Sequence, residues 1–124
     1  MTSLTIPTNQ PTQERKDKAT SRLVANTTLD QITTVDPLSL AYIAARNYAY
    51  LPVKDNKGGG VEFQVTISPN QKHVIRIELD FNDSYIISKF HIRKGGLDCV
   101  LRSQLHNVYA EQLCETILDM CSIH

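Results

Sequence analysis

The stretch GVEFQVTISPNQKHVIRIELDFNDSYIISKFHIRK, residues Gly60–Lys94, holds three consecutive runs in which apolar and polar side chains alternate. Successive side chains of an extended chain point to opposite faces, so each run reads as a half-buried strand. In the first, Val61, Phe63, Val65 and Ile67 face one way and Glu62, Gln64, Thr66 and Ser68 the other. In the second, Ile75, Ile77, Leu79 and Phe81 alternate with Val74, Arg76, Glu78 and Asp80. In the third, Ile86, Phe90 and Ile92 alternate with Tyr85, Ile87, Lys89, His91 and Arg93. Pro69-Asn70 and Asn82-Asp83 carry turn chemistry between the runs. The pattern predicts a three-stranded antiparallel sheet over about residues 61–68, 73–81 and 84–93.

Parity sets the register. A two-residue loop at Asn82-Asp83 pairs Phe81 with Ser84, Leu79 with Ile86, Ile77 with Ser88 and Ile75 with Phe90, which gathers the apolar residues on one face. The same reasoning asks for an odd loop in the first hairpin, between Ile67 and Ile75. The outer face then holds Val74, Tyr85, Ile87, Lys89, His91 and Arg93, an aromatic and aliphatic patch among cations of the kind found at contact surfaces. These six are the candidate partner-binding residues. Glu62, Gln64, Arg76, Glu78 and Asp80 share that face, and cross-strand charge pairs there are what any solvated sheet exposes.

Two helices are expected beneath the sheet. Asp36-Pro37 places a side-chain acceptor at an N-cap and a proline at the first helical position, so a helix over about residues 37–50 follows, apolar on nearly every side. Leu105, Val108, Tyr109, Leu113, Ile117 and Met120 recur at three- and four-residue spacing and predict an amphipathic helix over about residues 104–121. Between Arg22 and Val35 the looser spacing, with Thr28 and Gln31 in the form of a capping box, predicts one short helical turn. Met1 to Ser21 has few apolar side chains and a mixed-charge cluster, Glu14-Arg15-Lys16-Asp17-Lys18. It reads as a flexible or partner-docked arm, residues 1–21, ahead of a single domain over 22–124. The fold class expected is a two-layer α+β domain with both main helices on one face of the sheet.

At 124 residues, with 41% hydrophobic and 21% charged residues, the chain suits one globular domain. Thirteen basic residues balance thirteen acidic ones, which removes the argument for nucleic-acid binding from bulk charge. No apolar run is long enough for a membrane span and the N-terminus lacks a signal-peptide core, so a soluble, cytoplasmic or otherwise intracellular protein without membrane contact is expected. Three cysteines fit a reducing compartment rather than a disulfide framework. Cys99, Cys114, Cys121 and His106 lack metal-ligand spacing, and no Ser–His–Asp or Cys–His arrangement can be placed. The glycines of Lys54–Gly60 run from a helix into a strand, the reverse of a phosphate-cradling loop. No catalytic residue, metal or cofactor is therefore expected.

The order helix, three strands, helix over about residues 36–121 resembles the double-stranded RNA-binding domain, and Ala110-Glu111-Gln112-Leu113 is similar to the alanine-bearing last helix of that family. The resemblance implies contact with RNA phosphates from the start of the last helix. Here Ser103–Glu111 offers His106 and no lysine, so such binding falls to Lys89, His91, Arg93, Lys94 and Arg102. The leading expectation is a non-enzymatic interaction protein, an adaptor, inhibitor or accessory subunit acting on a protein partner or as a homo-oligomer. A nucleic-acid-binding regulator is the alternative.

Overall fold

The structure is a computed structural model that describes residues 13–53, 58–68, 71–80, 82–93 and 98–121. Helix α1 (Gln13–Val35) leads through the single turn α2 (Ser39–Tyr42) into β1 (Arg46–Leu51), β2 (Gly60–Ser68), β3 (Gln71–Leu79), β4 (Tyr85–Arg93) and β5 (Asp98–Val108). A 3₁₀ turn (Ala110–Gln112) then opens α3 (Leu113–Met120). The strands form one antiparallel sheet in the order β1-β2-β3-β4-β5, so every neighbour in space is a neighbour in sequence. The α+β class and antiparallel pairing match the sequence reading. The three-stranded count does not, because a strand lies at each edge where a helix was expected.

The first correction is at β1. The helix expected over about residues 37–50 stops after one turn, where Ala44 adopts φ +52° and its N–H returns to the Ala41 carbonyl at 3.1 Å. From Arg46 the chain is extended and pairs Tyr50 with Val61 and Leu51 with Gly60, with a bulge between Arg46 and Ala49. The abundance of apolar residues that suggested a helix buried all round serves an edge strand instead. Tyr48 lays its ring 5.5 Å from that of Phe63, and the Arg22 guanidinium sits 5.9 Å above Tyr50.

The second correction is at the other edge. Residues of the expected last helix, about 104–121, divide between the end of β5 and the shorter α3. Asn107, at φ +57°, bends the chain at the bulge between the Tyr85–Val108 and Ile87–Leu105 pairs. The Gln112 side chain accepts the Tyr109 N–H at 3.1 Å as the 3₁₀ turn begins. Spacing of three and four is real only from Leu113 onward, where Leu113, Cys114, Ile117 and Met120 are buried. With β5 in place of the first half of that helix, the element order is no longer that of a double-stranded RNA-binding domain.

Register is the third correction. Leu79 pairs with Tyr85, Ile77 with Ile87, Ile75 with Lys89 and His73 with His91, one residue away from the expected alignment. The hairpin closes at Asp80 and Ser84, the Asp80 N–H donating to the Ser84 carbonyl at 2.8 Å, and Asp83 takes φ +62°. Three residues rather than two thus separate the closing pair, the geometry of a turn that ends in a left-handed residue. Asn82 Oδ1 supports it by accepting both the N–H and the hydroxyl of Ser84, at 3.2 and 2.6 Å. A slip of one residue exchanges the faces of the whole strand. Tyr85 (4% exposed) and Ile87 (0%) are therefore core residues, not surface ones. Phe81 lies outside the described residues.

In the first hairpin the expected faces hold, with Val61 opposite Ile77, Phe63 opposite Ile75 and Val65 opposite His73. A bulge between Thr66 and Ser68 then pairs Ser68 with Gln71, leaving two residues between the strands instead of an odd number.

Helix α1 runs continuously through the boundary drawn at residues 21 and 22; the part of the expected arm before Gln13 lies outside the described residues. Its buried stripe is Ser21, Ala25, Thr28 and Ile32, spaced four, three and four, as one helical face requires. Thr28 donates its hydroxyl to the Val24 carbonyl at 2.8 Å, which satisfies it inside the core. Ser21 Oγ accepts the Val53 N–H at 2.9 Å and ties the helix to the end of β1. α1 and α3 cover one face of the sheet around Phe63, Ile75, Ile77, Ile87, Leu113 and Ile117. The other face carries no helix among the described residues.

Candidate interaction surfaces

The six expected partner-binding residues do not form one surface. Tyr85 and Ile87 are buried under the helices. Val74 is half-buried on the open face, in the cross-strand row Gln64, Val74, Phe90, Leu101. Lys89 points to the helical side, where its Nζ donates to the Met120 carbonyl at 2.9 Å, a cation on the last carbonyls of α3. His91 lies on the same side as Lys89, stacked on His73 with ring centroids 4.8 Å apart. Arg93 is held in an exposed ion pair with Asp98 at 2.7 Å. Of the alternative set for nucleic acid, Lys89, His91 and Arg102 come together, Arg93 is paired, and Lys94 lies outside the described residues.

The open face of the sheet is mixed. Arg76 lies 5.2 Å from the Phe90 ring and 3.5 Å from the Glu62 carboxylate, so its charge is spent within the sheet. Leu101 is half-exposed at the end of the apolar row. Gln104 donates to the Ser88 hydroxyl at 2.9 Å, closing the row beside it.

A more distinctive feature lies on the helical side and was not legible as a site in the sequence. Where α1 runs beside the 3₁₀ turn and α3, two adjoining cavities of about 410 and 370 Å³ share Val35. The first is lined by Thr27, Asp30, Gln31, Thr34, Ala110 and Glu111, the second by Asp36, Cys114, Glu115, Leu118 and Asp119. Five lining residues are acidic and none is basic. Val35 and Leu118 supply apolar floor, and Val35 is 57% exposed. The groove depends on the very elements that sequence misplaced: Val35 is the last residue of a long α1, and Glu111 and Glu115 flank the start of a short α3.

On the far side of α1 a smaller cavity of about 140 Å³ lies against β1, between Ala25, Leu29, Tyr48 and Val61, with Arg22 at its rim. Its walls are the aromatic contacts that seat β1, so it reads as incomplete packing at the sheet edge.

Charge at the groove and at the sheet end is opposite in sign. The groove collects carboxylates, while His73, Lys89, His91 and Arg102 collect where β3, β4 and β5 meet the end of α3. A chain of zero net charge is thus polarised. Among the described residues no group of His, Cys, Asp and Glu is arranged to hold a metal, and no helix is long and apolar enough to cross a membrane. Comparison with known proteins finds no match to this chain among family models, curated proteins or solved structures.

Proposed function

We propose that this chain is a non-enzymatic interaction protein whose partner supplies a cationic amphipathic helix to the groove between α1 and α3. The observation that carries the reading is the lining of that groove, where five acidic residues surround an apolar floor and no lining residue is basic. An amphipathic helix docks by laying apolar residues at spacings of three and four into such a groove, with its polar flanks meeting the rim. Lysine or arginine flanks match Asp30, Glu111 and Glu115. An exposed valine at the end of α1 is a natural contact for the apolar ridge.

The test uses an amidated lysine–leucine peptide with leucines at i, i+3, i+4 and i+7, titrated into the labelled protein and followed by NMR. Expected are shift changes confined to about residues 27–36 and 110–119, weakened at least about tenfold by Glu111→Lys with Glu115→Lys and also by Val35→Ser. Glu62→Lys on the opposite face serves as the control and leaves binding unchanged. Shifts spread over the whole surface, or binding that survives both groove variants, overturn the reading.

A further inference from the structure

We infer that the end of the sheet formed by His73, Lys89, His91 and Arg102 is a binding site for a single phosphate group, of the monoester dianion class. The site is built from other residues than the groove, and its charge is of the opposite sign. It is assembled from three strands: His73 on β3, Lys89 and His91 on β4, and Arg102 on β5. His73 and His91 face each other in register and stack with planes 23° apart. Arg102 Nη2 lies 3.4 Å from His91 Nδ1, a long contact that brings no negative charge to the cluster. Lys89 reaches past the histidines to the end of α3, beside the Cys121 thiol.

Two observations make this a site rather than a solvated face. The charged or titratable groups that act on His73 among the described residues are His91, Lys89 and Arg102, with no carboxylate among them. His73 is also 6% exposed, and its ring, with Nδ1 buried, has no hydrogen bond among the described residues beyond a weak one to the Gln71 backbone. A buried imidazole with Lys89, Arg102 and a second imidazole converging on it is an arrangement that an oxyanion completes. A tetrahedral phosphate offers one oxygen to the Arg102 fork and others to His91 and Lys89, and its second negative charge answers the second cation. Compactness separates this from a nucleic-acid backbone, which needs cations repeated along a track. Here they converge on one place, and the neighbouring Arg93 is already paired with Asp98.

The experiment titrates inorganic phosphate, and separately O-phosphoserine, into the full chain at constant ionic strength, reading the imidazole NMR signals of His73 and His91. Saturable shifts of both histidines with one phosphate per chain are expected, with serine and equivalent sodium chloride inert. Arg102→Ala, an exposed position that leaves the core untouched, should weaken binding about tenfold or more, while Arg76→Ala on the opposite face should not. Equal affinity for phosphate and phosphoserine means the group alone is read; tighter phosphoserine binding means the ester is read as well, and both uphold the site. Shifts that sodium chloride reproduces, or that survive Arg102→Ala, overturn it. So does duplex RNA that binds with a salt dependence of several ions and is not displaced by phosphate.

Discussion

Tyr85 donates its hydroxyl to the Gln31 side-chain carbonyl at 2.7 Å, joining the first residue of β4 to α1 across the core. The contact exists only because the hairpin register puts Tyr85 on the inner face. Tyr85→Phe should cost about 1 kcal/mol, the usual net value of a side-chain hydrogen bond. Tyr85→Ala should cost about 3–5 kcal/mol through the cavity it leaves. Urea unfolding measures both. A cost for Tyr85→Ala within about 0.5 kcal/mol, as for an exposed residue, would restore the two-residue hairpin and refute the register.

Gly60 is the point where β2 comes too close to β3 for any side chain. A Cβ there would stand 1.9 Å from the Ile77 carbonyl oxygen, which is backbone and cannot rotate away. Gly60→Ala should therefore separate the strands, at about 1–3 kcal/mol or more. At Gly58 the nearest atoms are side-chain carbons of Leu79 at 3.1–3.3 Å, which can shift. Thermal unfolding of the two alanine variants should show a clearly larger loss for Gly60→Ala, and equal losses would contradict the pairing of β2 with β3.

What the sequence revealed and what it concealed divide along one physical line. Alternation in β2 and β3 is clean because each strand has one apolar face, and the pairing of Phe63 with Ile75 follows from it. β4 is apolar on both faces, with Tyr85, Ile86 and Ile87 all buried, so hydrophobicity could not choose its register and the turn chose it. Asp83 in a left-handed conformation adds the third loop residue, and nothing in Asn82-Asp83 distinguishes that turn from a two-residue one. α1 was concealed for the opposite reason. Its buried stripe is serine, alanine and threonine with Ile32 as the one large apolar member, whereas the large apolar residues Leu23 and Val35 lie outside. The candidate sites inherited these gaps. The groove needs α1 at full length, and the basic cluster needs Lys89 and His91 on the helical side beside His73, which the expected register forbade.

His73 should make stability fall with acidity. Burial first, then the charges of His91 and Lys89, hold its pKa below the ordinary 6.5, with a weaker backbone contact to Gln71 opposing them. Below pH 6.5 the unfolded chain takes up a proton at this position before the folded one does, so the unfolded state gains. The contribution is complete above 6.5 and is lost as pH drops from there through the folded value. Unfolding free energy measured from pH 7.5 to 5 should decline, and His73→Leu should flatten that decline. A slope unchanged in His73→Leu would assign the acid sensitivity to other groups.

Cys121 makes the alkaline side of the same argument. Burial raises its thiol from the ordinary 9.0 to about 11, against a smaller lowering effect of Lys89. Between those values the folded protein keeps the proton that the unfolded chain has released, so stability is full below pH 9 and falls as pH rises toward 11. The same protonation leaves little thiolate to react. With a thiol reagent at pH 8, Cys99, which is exposed, should be modified quickly, while Cys114 and Cys121 react only as fast as the fold opens. Urea below the unfolding midpoint should accelerate the two slow thiols and leave the fast one unchanged. If Cys121 instead reacts as readily as Cys99, α3 is not seated on the sheet, and neither the groove nor the basic cluster beside it can stand as described.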